Sequence, residues 1–177
     1  MFEEVLQFWF EEIKPKQWWQ VDDAFDQEIR DRFANTLEQA CCGELLSWRA
    51  EARGRLAEII VLDQFSRNCF RGLPEAFQQD PMALVLAQEA VSRDCLLELE
   101  GPQRSFLLMP FMHSESALIH QIAEPLFKEF APNNLDFEIR HKAIIDQFGR
   151  YPHRNAILGR QSSPEELHFL TQPGSSF

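Results

Sequence analysis

The chain has 177 residues, of which 45% are hydrophobic and 25% charged, and its formal net charge at pH 7 is −11. This composition is typical of a globular protein and excludes an intrinsically disordered chain, while the length suits one domain, which we place at residues 1–172. The acidic balance argues against nucleic acid or an anionic membrane as a partner, because the net negative charge would be repelled by either.

Apolar residues recur three and four positions apart almost throughout, which predicts an all-α protein. A first helix covers residues 2–13 and ends before Pro15, because proline cannot continue a helix. A second begins after an N-cap at Asp22 or Asp23 and runs to a break at Gly43.

The middle of the chain predicts three further helical segments. Residues 53–68 are apolar on every face at their centre, which is typical of a buried helix. The pair Asp80-Pro81 predicts the start of a helix, with an N-cap followed by proline. Residues 106–130 are helical in pattern, but Pro110 and Pro125 should kink or divide the segment, since each removes a backbone hydrogen bond.

The last part of the chain predicts a helix over residues 135–148 and a short one beginning at Pro164. Residues 173–177 are expected to form a frayed tail. Short loops between successive helices favour antiparallel neighbours. We therefore predict a single-domain stack of antiparallel helical hairpins.

Several patterns bear on location and on bound groups. No apolar run approaches membrane-spanning length, and acidic residues follow Met1 where a secretory signal would carry Lys or Arg, so we expect a cytoplasmic protein without a membrane partner. Glu138-x-x-His141 has the spacing of a helical di-iron ligand pair, as has Glu165-x-x-His168, but the latter lies in the short terminal helix. We expect neither a metal ion nor a cofactor.

The cysteines show no C-x-x-C spacing, and two of them are adjacent. This pattern suits neither a zinc site nor a simple disulfide bridge, so we interpret them as reduced, mostly buried thiols. The four residues are Cys41, Cys42, Cys69 and Cys95.

Three polar segments interrupt the apolar background, and the first is partly repeated. The run from Asp63 to Arg67 shares four of five residues with the run from Asp146 to Arg150. In both runs the Asp and Arg stand four apart on one helical face, so they can form an ion pair. Each Asp follows an apolar run and is predicted to be partly buried. Such pairs either fix helix ends or leave an Arg for a ligand.

The second segment contains His113, which follows the apolar residues 106–112. A histidine at the end of a buried segment can act as a base or bind a ligand, and Glu115 can tune its pKa. The alternative is a core histidine whose hydrogen bonds are satisfied within the protein.

The third segment places four potential donors, Arg150, His153, Arg154 and Asn155, in a short loop fixed by Pro152. Such a loop can form a cradle for a carboxylate or phosphate group. The alternative is a solvated basic turn that caps nearby helix C-termini.

These segments read Leu-Asp-Gln-Phe-Ser-Arg-Asn-Cys-Phe-Arg-Gly, Met-Pro-Phe-Met-His-Ser-Glu and Phe-Gly-Arg-Tyr-Pro-His-Arg-Asn. In their order and in their residues they resemble the segments of a bacterial family called domain of unknown function nine-two-four. The resemblance covers nearly the whole chain. It implies an all-α, tetratricopeptide-like arrangement of helical hairpins, and it implies no activity, so no catalytic residue follows from it.

The sequence leaves the function unknown and three hypotheses open. The first, which the convergence of donor side chains favours, is a ligand- or peptide-binding protein of the helical-repeat type, whose Arg- and His-lined cleft binds an anionic small molecule or peptide. The second is a cofactor-free hydrolase or isomerase in which His113 is the general base, oriented by Asp63 or Glu115. The third treats the polar segments as purely structural, and the oligomeric state is open in all three. The candidate ligand-binding residues are Arg67, Asn68, Arg71, Arg150, His153, Arg154 and Asn155.

Overall fold

The structure is a computed structural model that describes residues 1–176. Every regular element in this range is helical, so the chain is all-α, as predicted. None of the described helices combines the length and apolar character needed to cross a membrane. The α-helices are α1 (Phe2–Gln7), α2 (Asp23–Cys41), α3 (Ala52–Ile60), α4 (Ser66–Cys69), α5 (Asp80–Ser92), α6 (Cys95–Glu98), α7 (Pro102–Met112), α8 (Ala117–Phe130), α9 (Leu135–Phe148) and α10 (Pro164–Leu170).

Short π-helical and 3-10 turns extend or join these helices. One π turn, Phe8–Glu12, continues α1, so the first predicted helix is present in two parts. A second, Val61–Phe65, joins α3 to α4 and carries Asp63. The 3-10 turn Pro152–Arg154 follows α9. The remaining 3-10 turns are Pro15–Trp19, Leu46–Ala50, Pro74–Phe77 and Pro132–Asn134.

The core is centred on α3 and the π turn that follows it. Every residue from 54 to 66 is buried, which confirms the predicted buried helix. Helix α3 packs against α1, α5 and α7, and the ring of Phe65 lies 5.0 Å from that of Phe33 and 5.6 Å from that of Trp9, measured between centroids. Because this region is dry, any polar side chain that it carries needs a hydrogen-bond partner.

The predicted division of residues 106–130 occurs, but beyond Pro110 rather than at either proline. Pro110 lies inside α7 and Pro125 inside α8, and the chain leaves the helix only at residues 113–116. Each proline costs one hydrogen bond, which the surrounding packing tolerates. The break places His113 directly after the last residue of α7.

Helices α7, α8 and α9 pack in succession through short connections, as expected of helical hairpins. The tetratricopeptide-like arrangement stays a prediction. So does the frayed tail at residues 173–177, of which Phe177 lies outside the described residues.

Candidate functional site

A cleft of about 600 Å³ lies between the start of α5, the end of α7 and the 3-10 turn after α9. Its polar lining includes Asp80, His113 and Arg154. The second and third polar segments therefore share this cleft, and the first lies directly behind it. The apolar lining consists of Pro74, Phe77, Pro81, Leu84, Pro110 and Leu158.

His113 is oriented by a buried carboxylate. Its Nδ1 lies 2.8 Å from Asp63 Oδ1, and the Asp63 side chain is 1% exposed. An ionised carboxylate only accepts hydrogen bonds, so Nδ1 carries the hydrogen and Nε2 has the lone pair of the neutral ring. No described residue forms a hydrogen bond with Nε2. The ring therefore presents a basic nitrogen to which none of residues 1–176 is hydrogen-bonded.

The pKa values of this pair support the same protonation states. Burial lowers the pKa of His113, and the nearby charge of Arg67 lowers it further, while Asp63 opposes both effects. Burial alone would raise the pKa of Asp63, but Arg67 and His113 hold it well below its usual value. At neutral pH the pair is thus a neutral imidazole beside an ionised carboxylate.

Arg67 joins this pair to Asp80. Its Nη1 lies 3.0 Å from Asp63 Oδ1, which confirms the predicted pair, and the turn that carries Asp63 is π-helical. Such turns are frequent at functional sites. The Arg67 guanidinium also donates two hydrogen bonds to the Asp80 carboxylate, at 2.9 and 3.1 Å. The helix starts here as predicted, but Gln79 occupies the N-cap position and Asp80 is the first residue of α5, so the predicted N-cap at Asp80 is wrong. The Asp80 carboxylate binds Arg67 instead, a role that is not visible in the sequence.

Arg154 completes the polar wall and is 6% exposed. Its Nη1 donates to Asp80 Oδ2 at 3.1 Å and its Nη2 to the His113 carbonyl oxygen at 3.0 Å. Its Cζ lies 4.7 Å from the ring centre of Phe77 and 4.6 Å from that of Tyr151. Its Nε is buried and has no hydrogen-bond partner among the described residues.

Glu115 also borders the cleft, but its carboxylate is bonded to residues other than His113. Its carboxylate accepts two hydrogen bonds from Arg160, at 2.6 and 2.9 Å, and one from the backbone N–H of Tyr151 at 2.7 Å. Of the two carboxylates predicted to orient His113, the geometry therefore selects Asp63. Glu115 instead fixes the loop that carries Arg154.

Two predicted ligand-binding residues of the first segment face a different carboxylate. Asn68 Nδ2 donates to Asp26 Oδ1 at 2.8 Å, and Arg71 donates to both oxygens of Asp26 at 2.6 and 2.8 Å. Asp26 lies on α2, and neither residue lines the cleft. The structure thus separates Asn68 and Arg71 from His113.

Of the residues predicted to bind a ligand in the third segment, some also lie away from the cleft. Arg150 pairs with Glu166 of α10 at 2.7 Å, and Asn155 accepts a hydrogen bond from Arg160 at 2.9 Å. The ring of His153 lies 5.7 Å from that of Tyr151, between centroids, and burial lowers the pKa of His153 to about 4. Of this segment, Arg154 is the predicted residue that lines the cleft.

The repeated Asp-to-Arg run does not form a second ion pair. Asp146 is exposed and pairs with Lys142 at 2.6 Å, so the predicted pairing with Arg150 and the predicted burial are wrong for this copy. The reason is local, because Gly149 has a φ of 69° and ends α9 in a left-handed conformation. This turn takes Arg150 away from the helix face that carries Asp146.

The geometry supports acid–base chemistry or the binding of a small polar group. The cleft combines a basic nitrogen, a buried guanidinium and an apolar wall, which is the usual make-up of a small-molecule site. Within residues 1–176 no three His, Cys, Asp or Glu side chains come together in a way that could hold a metal ion.

A sequence family and a solved structure both resemble this chain. The family described as "Bacterial protein of unknown function (DUF924)" matches residues 5–174. A solved protein of unknown function from Agrobacterium tumefaciens is 36% identical, with a TM-score of 0.91 and 96% of each chain covered. Comparison with curated proteins gives no match. The chain therefore belongs to the bacterial family of unknown function DUF924.

Proposed function

We propose that the cleft is the catalytic site of an enzyme that acts on a small molecule, with His113 as the general base. The observation that carries the proposal is the contact between His113 Nδ1 and the buried Asp63, which leaves Nε2 as the basic atom of a ring that borders the cleft. The same arrangement of a carboxylate, an imidazole and a substrate supports proton transfer in many unrelated enzymes.

The charges around His113 suit this role. Its lowered pKa keeps the ring neutral at pH 7, so Nε2 can accept a proton from water or from a carbon next to a carbonyl group. Once the ring is protonated, the ionised Asp63 stabilises the positive charge. Arg154 also lines the cleft and would stabilise a developing oxyanion, in competition with Asp80. Hydrolysis and isomerisation both fit this arrangement.

A turnover screen tests the proposal. The probes are p-nitrophenyl esters of short carboxylic acids, and small ketones whose hydrogen exchange with deuterated water is followed by NMR. We expect His113→Gln to lower turnover by about 100-fold or more, the usual contribution of a general base. Asp63→Asn should lower it as well, since it removes the group that fixes the hydrogen on Nδ1.

His168→Gln is the matched control, because His168 is exposed and lines a separate surface depression. It should leave turnover unchanged. Equal turnover in the wild type and in His113→Gln, or no turnover with either set of probes, contradicts the proposal.

A second candidate function is the binding of an anionic small molecule or acidic peptide in the same cleft. It is favoured by Arg154, whose buried Nε lacks a partner among the described residues. It ranks second because Asp63 and Asp80 already offset the charges of Arg67 and Arg154, so an anion would compete with Asp80.

Calorimetric titration separates the two functions. Acetate, inorganic phosphate and a glutamate-rich peptide should release or absorb heat with the wild type and with Arg140→Gln, a control at an exposed arginine, but not with Arg154→Gln. No heat with any of the three probes excludes anion binding. If turnover is also absent and substitutions in the cleft lower only the melting temperature, the polar residues are structural.

We also propose the cytoplasm as the compartment of this protein. All four cysteines are free thiols, but only Cys95 is buried, so the predicted burial of most of them is wrong. Unpaired thiols of this kind are usual in reducing compartments. Fractionation of cells that express the untagged protein would test the assignment, and recovery with the periplasmic or secreted fraction would contradict it.

A further inference from the structure

Side chains from outside α7 bind three successive carbonyl groups at its C-terminal end, those of residues 112–114. The Tyr151 hydroxyl donates to the first at 2.5 Å. Arg154 Nη2 donates to the second at 3.0 Å. His120 Nε2 lies 2.9 Å from the third. Because a helix leaves its last carbonyls without internal partners, the first bond replaces a missing one. The other two hold the turn that follows, so the backbone is fixed on both sides of His113.

The hydrogen positions on His120 follow from its neighbours. The Ser114 carbonyl oxygen can only accept a hydrogen bond, so His120 Nε2 must carry a hydrogen. His120 Nδ1 lies 2.7 Å from Glu138 Oε1, and both side chains are fully buried. One proton between Nδ1 and Oε1 satisfies both atoms. It belongs either to a carboxylic acid that faces a neutral imidazole or to an imidazolium that faces a carboxylate.

The surroundings of Glu138 favour the neutral form of this pair. Burial raises the pKa of Glu138 and outweighs the opposing effect of its hydrogen bond with His120. Its second oxygen, Oε2, is buried without a hydrogen-bond partner among the described residues. An unpartnered oxygen costs less in a neutral acid than in a carboxylate. A neutral Glu138 acid donates to His120 Nδ1, and in both forms of the pair this bond leaves Nε2 as the nitrogen whose hydrogen reaches the Ser114 carbonyl.

His120 connects three elements that meet at the cleft. It lies in the first part of α8 and binds the turn that follows α7, while its partner Glu138 belongs to α9. The Tyr151 hydroxyl lies 3.2 Å from His120 Nε2, so the loop after α9 reaches the same point. The backbone of His113 can therefore move only if these contacts rearrange.

We propose that His120 is a positioning residue: with its hydrogen held on Nε2 by Glu138, it fixes the chain after His113 so that the His113 ring reaches both Asp63 and the cleft. The inference rests on the proposed function only in giving the positioned His113 ring the role of general base. The position of the ring can be measured without a substrate.

The test compares Glu138→Gln with Glu138→Met, two side chains of similar length. The amide of Gln can donate an N–H to His120 Nδ1 and so preserve the hydrogen on Nε2, whereas Met cannot. In an NMR titration of the ring nitrogens, the pKa of His113 should stay unchanged in Glu138→Gln. In Glu138→Met it should rise by about half a unit or more, because a loosened ring is better solvated. If a substrate is found, the pH profile of turnover should shift with it.

Phe127→Leu is the control for a general loss of stability, because Phe127 is a buried core residue on the same helix, α8. It should leave the pKa of His113 unchanged. An unchanged pKa of His113 in folded Glu138→Met overturns the inference. The inference is also overturned if NMR shows that His120 Nε2 carries no hydrogen in the wild-type protein. This measurement tests the inference even if Glu138→Met does not fold. Neither result depends on turnover, so failure of the proposed function is seen separately, in the activity screen.

Discussion

Asp80 and Arg154 are 74 positions apart in the sequence, yet Arg154 Nη1 donates a hydrogen bond to Asp80 Oδ2 at 3.1 Å. The same carboxylate accepts two hydrogen bonds from Arg67. One acidic side chain thus separates two largely buried guanidinium groups, of which Arg67 also pairs with Asp63.

Asp80→Asn should destabilise the fold by about 3 kcal/mol, because it removes the carboxylate that pairs with the buried Arg154 and leaves Arg67 with Asp63 alone. Urea unfolding at pH 7 measures the change. Glu75→Gln is the control, since Glu75 is an exposed acid at the same cleft. Equal unfolding midpoints for the two variants would show that Asp80 is not needed to balance the arginines.

Asp63→Asn should lower the pKa of His113 further, because the Asp63 carboxylate supports the protonated ring while burial and Arg67 oppose it. An NMR titration of the ring measures the shift. The control is Glu115→Gln, which removes an acid that also borders the cleft but is held by Arg160. A larger shift in Glu115→Gln than in Asp63→Asn would reverse the assignment of the orienting carboxylate.

Stability should fall in acid because of His141, which is 5% exposed and whose pKa is lowered by burial to about 3. Its folded form resists protonation, so its contribution is complete above the unfolded pKa of about 6.5 and is lost as the pH falls from there towards 3. The cost at pH 5 is about 2 kcal/mol.

His141→Gln should therefore flatten the dependence of the unfolding free energy on pH between 7 and 5 by this amount. The exposed His168 provides the matched control, and His168→Gln should leave the slope unchanged. A wild-type slope in His141→Gln would show that the ring is free to protonate in the folded protein.

Two buried serines should respond to alanine in opposite directions. The Ser66 hydroxyl is buried without a hydrogen-bond partner among the described residues, so Ser66→Ala should be neutral or stabilising by up to about 1 kcal/mol. The Ser105 hydroxyl donates to Asn134 Oδ1 at 2.9 Å, so Ser105→Ala should cost about 1 kcal/mol. Thermal unfolding of both variants measures the two effects. An equal loss of stability in both would contradict the assignment of a hydrogen bond to Ser105 and of none to Ser66.

The sequence predicts those features that arise from local patterns. The buried helix α3 follows from its continuous apolar run, and the pairing of Asp63 with Arg67 follows from their spacing. The position of His113 after an apolar segment indicates that it is held at the edge of the core. Each of these features depends on residues that are neighbours in the chain.

The hydrogen-bond partners of residues that are distant in the sequence cannot be predicted in this way. Glu138 has helical spacing to His141, yet it bonds with His120 of another helix. Asp80 carries a helix-start signal, yet its carboxylate serves two arginines. These partners depend on how the helices pack against each other, and the packing cannot be deduced from a local sequence pattern.

Asp63 and Asp80 carry as many charges as Arg67 and Arg154, so this group sums to zero while His113 is neutral. The electrostatic potential that an approaching ligand meets outside the cleft is therefore set by the whole chain, whose formal net charge is −11. Added salt should speed the approach of an anion and slow that of a cation, because it screens this field and leaves the short contacts inside largely intact.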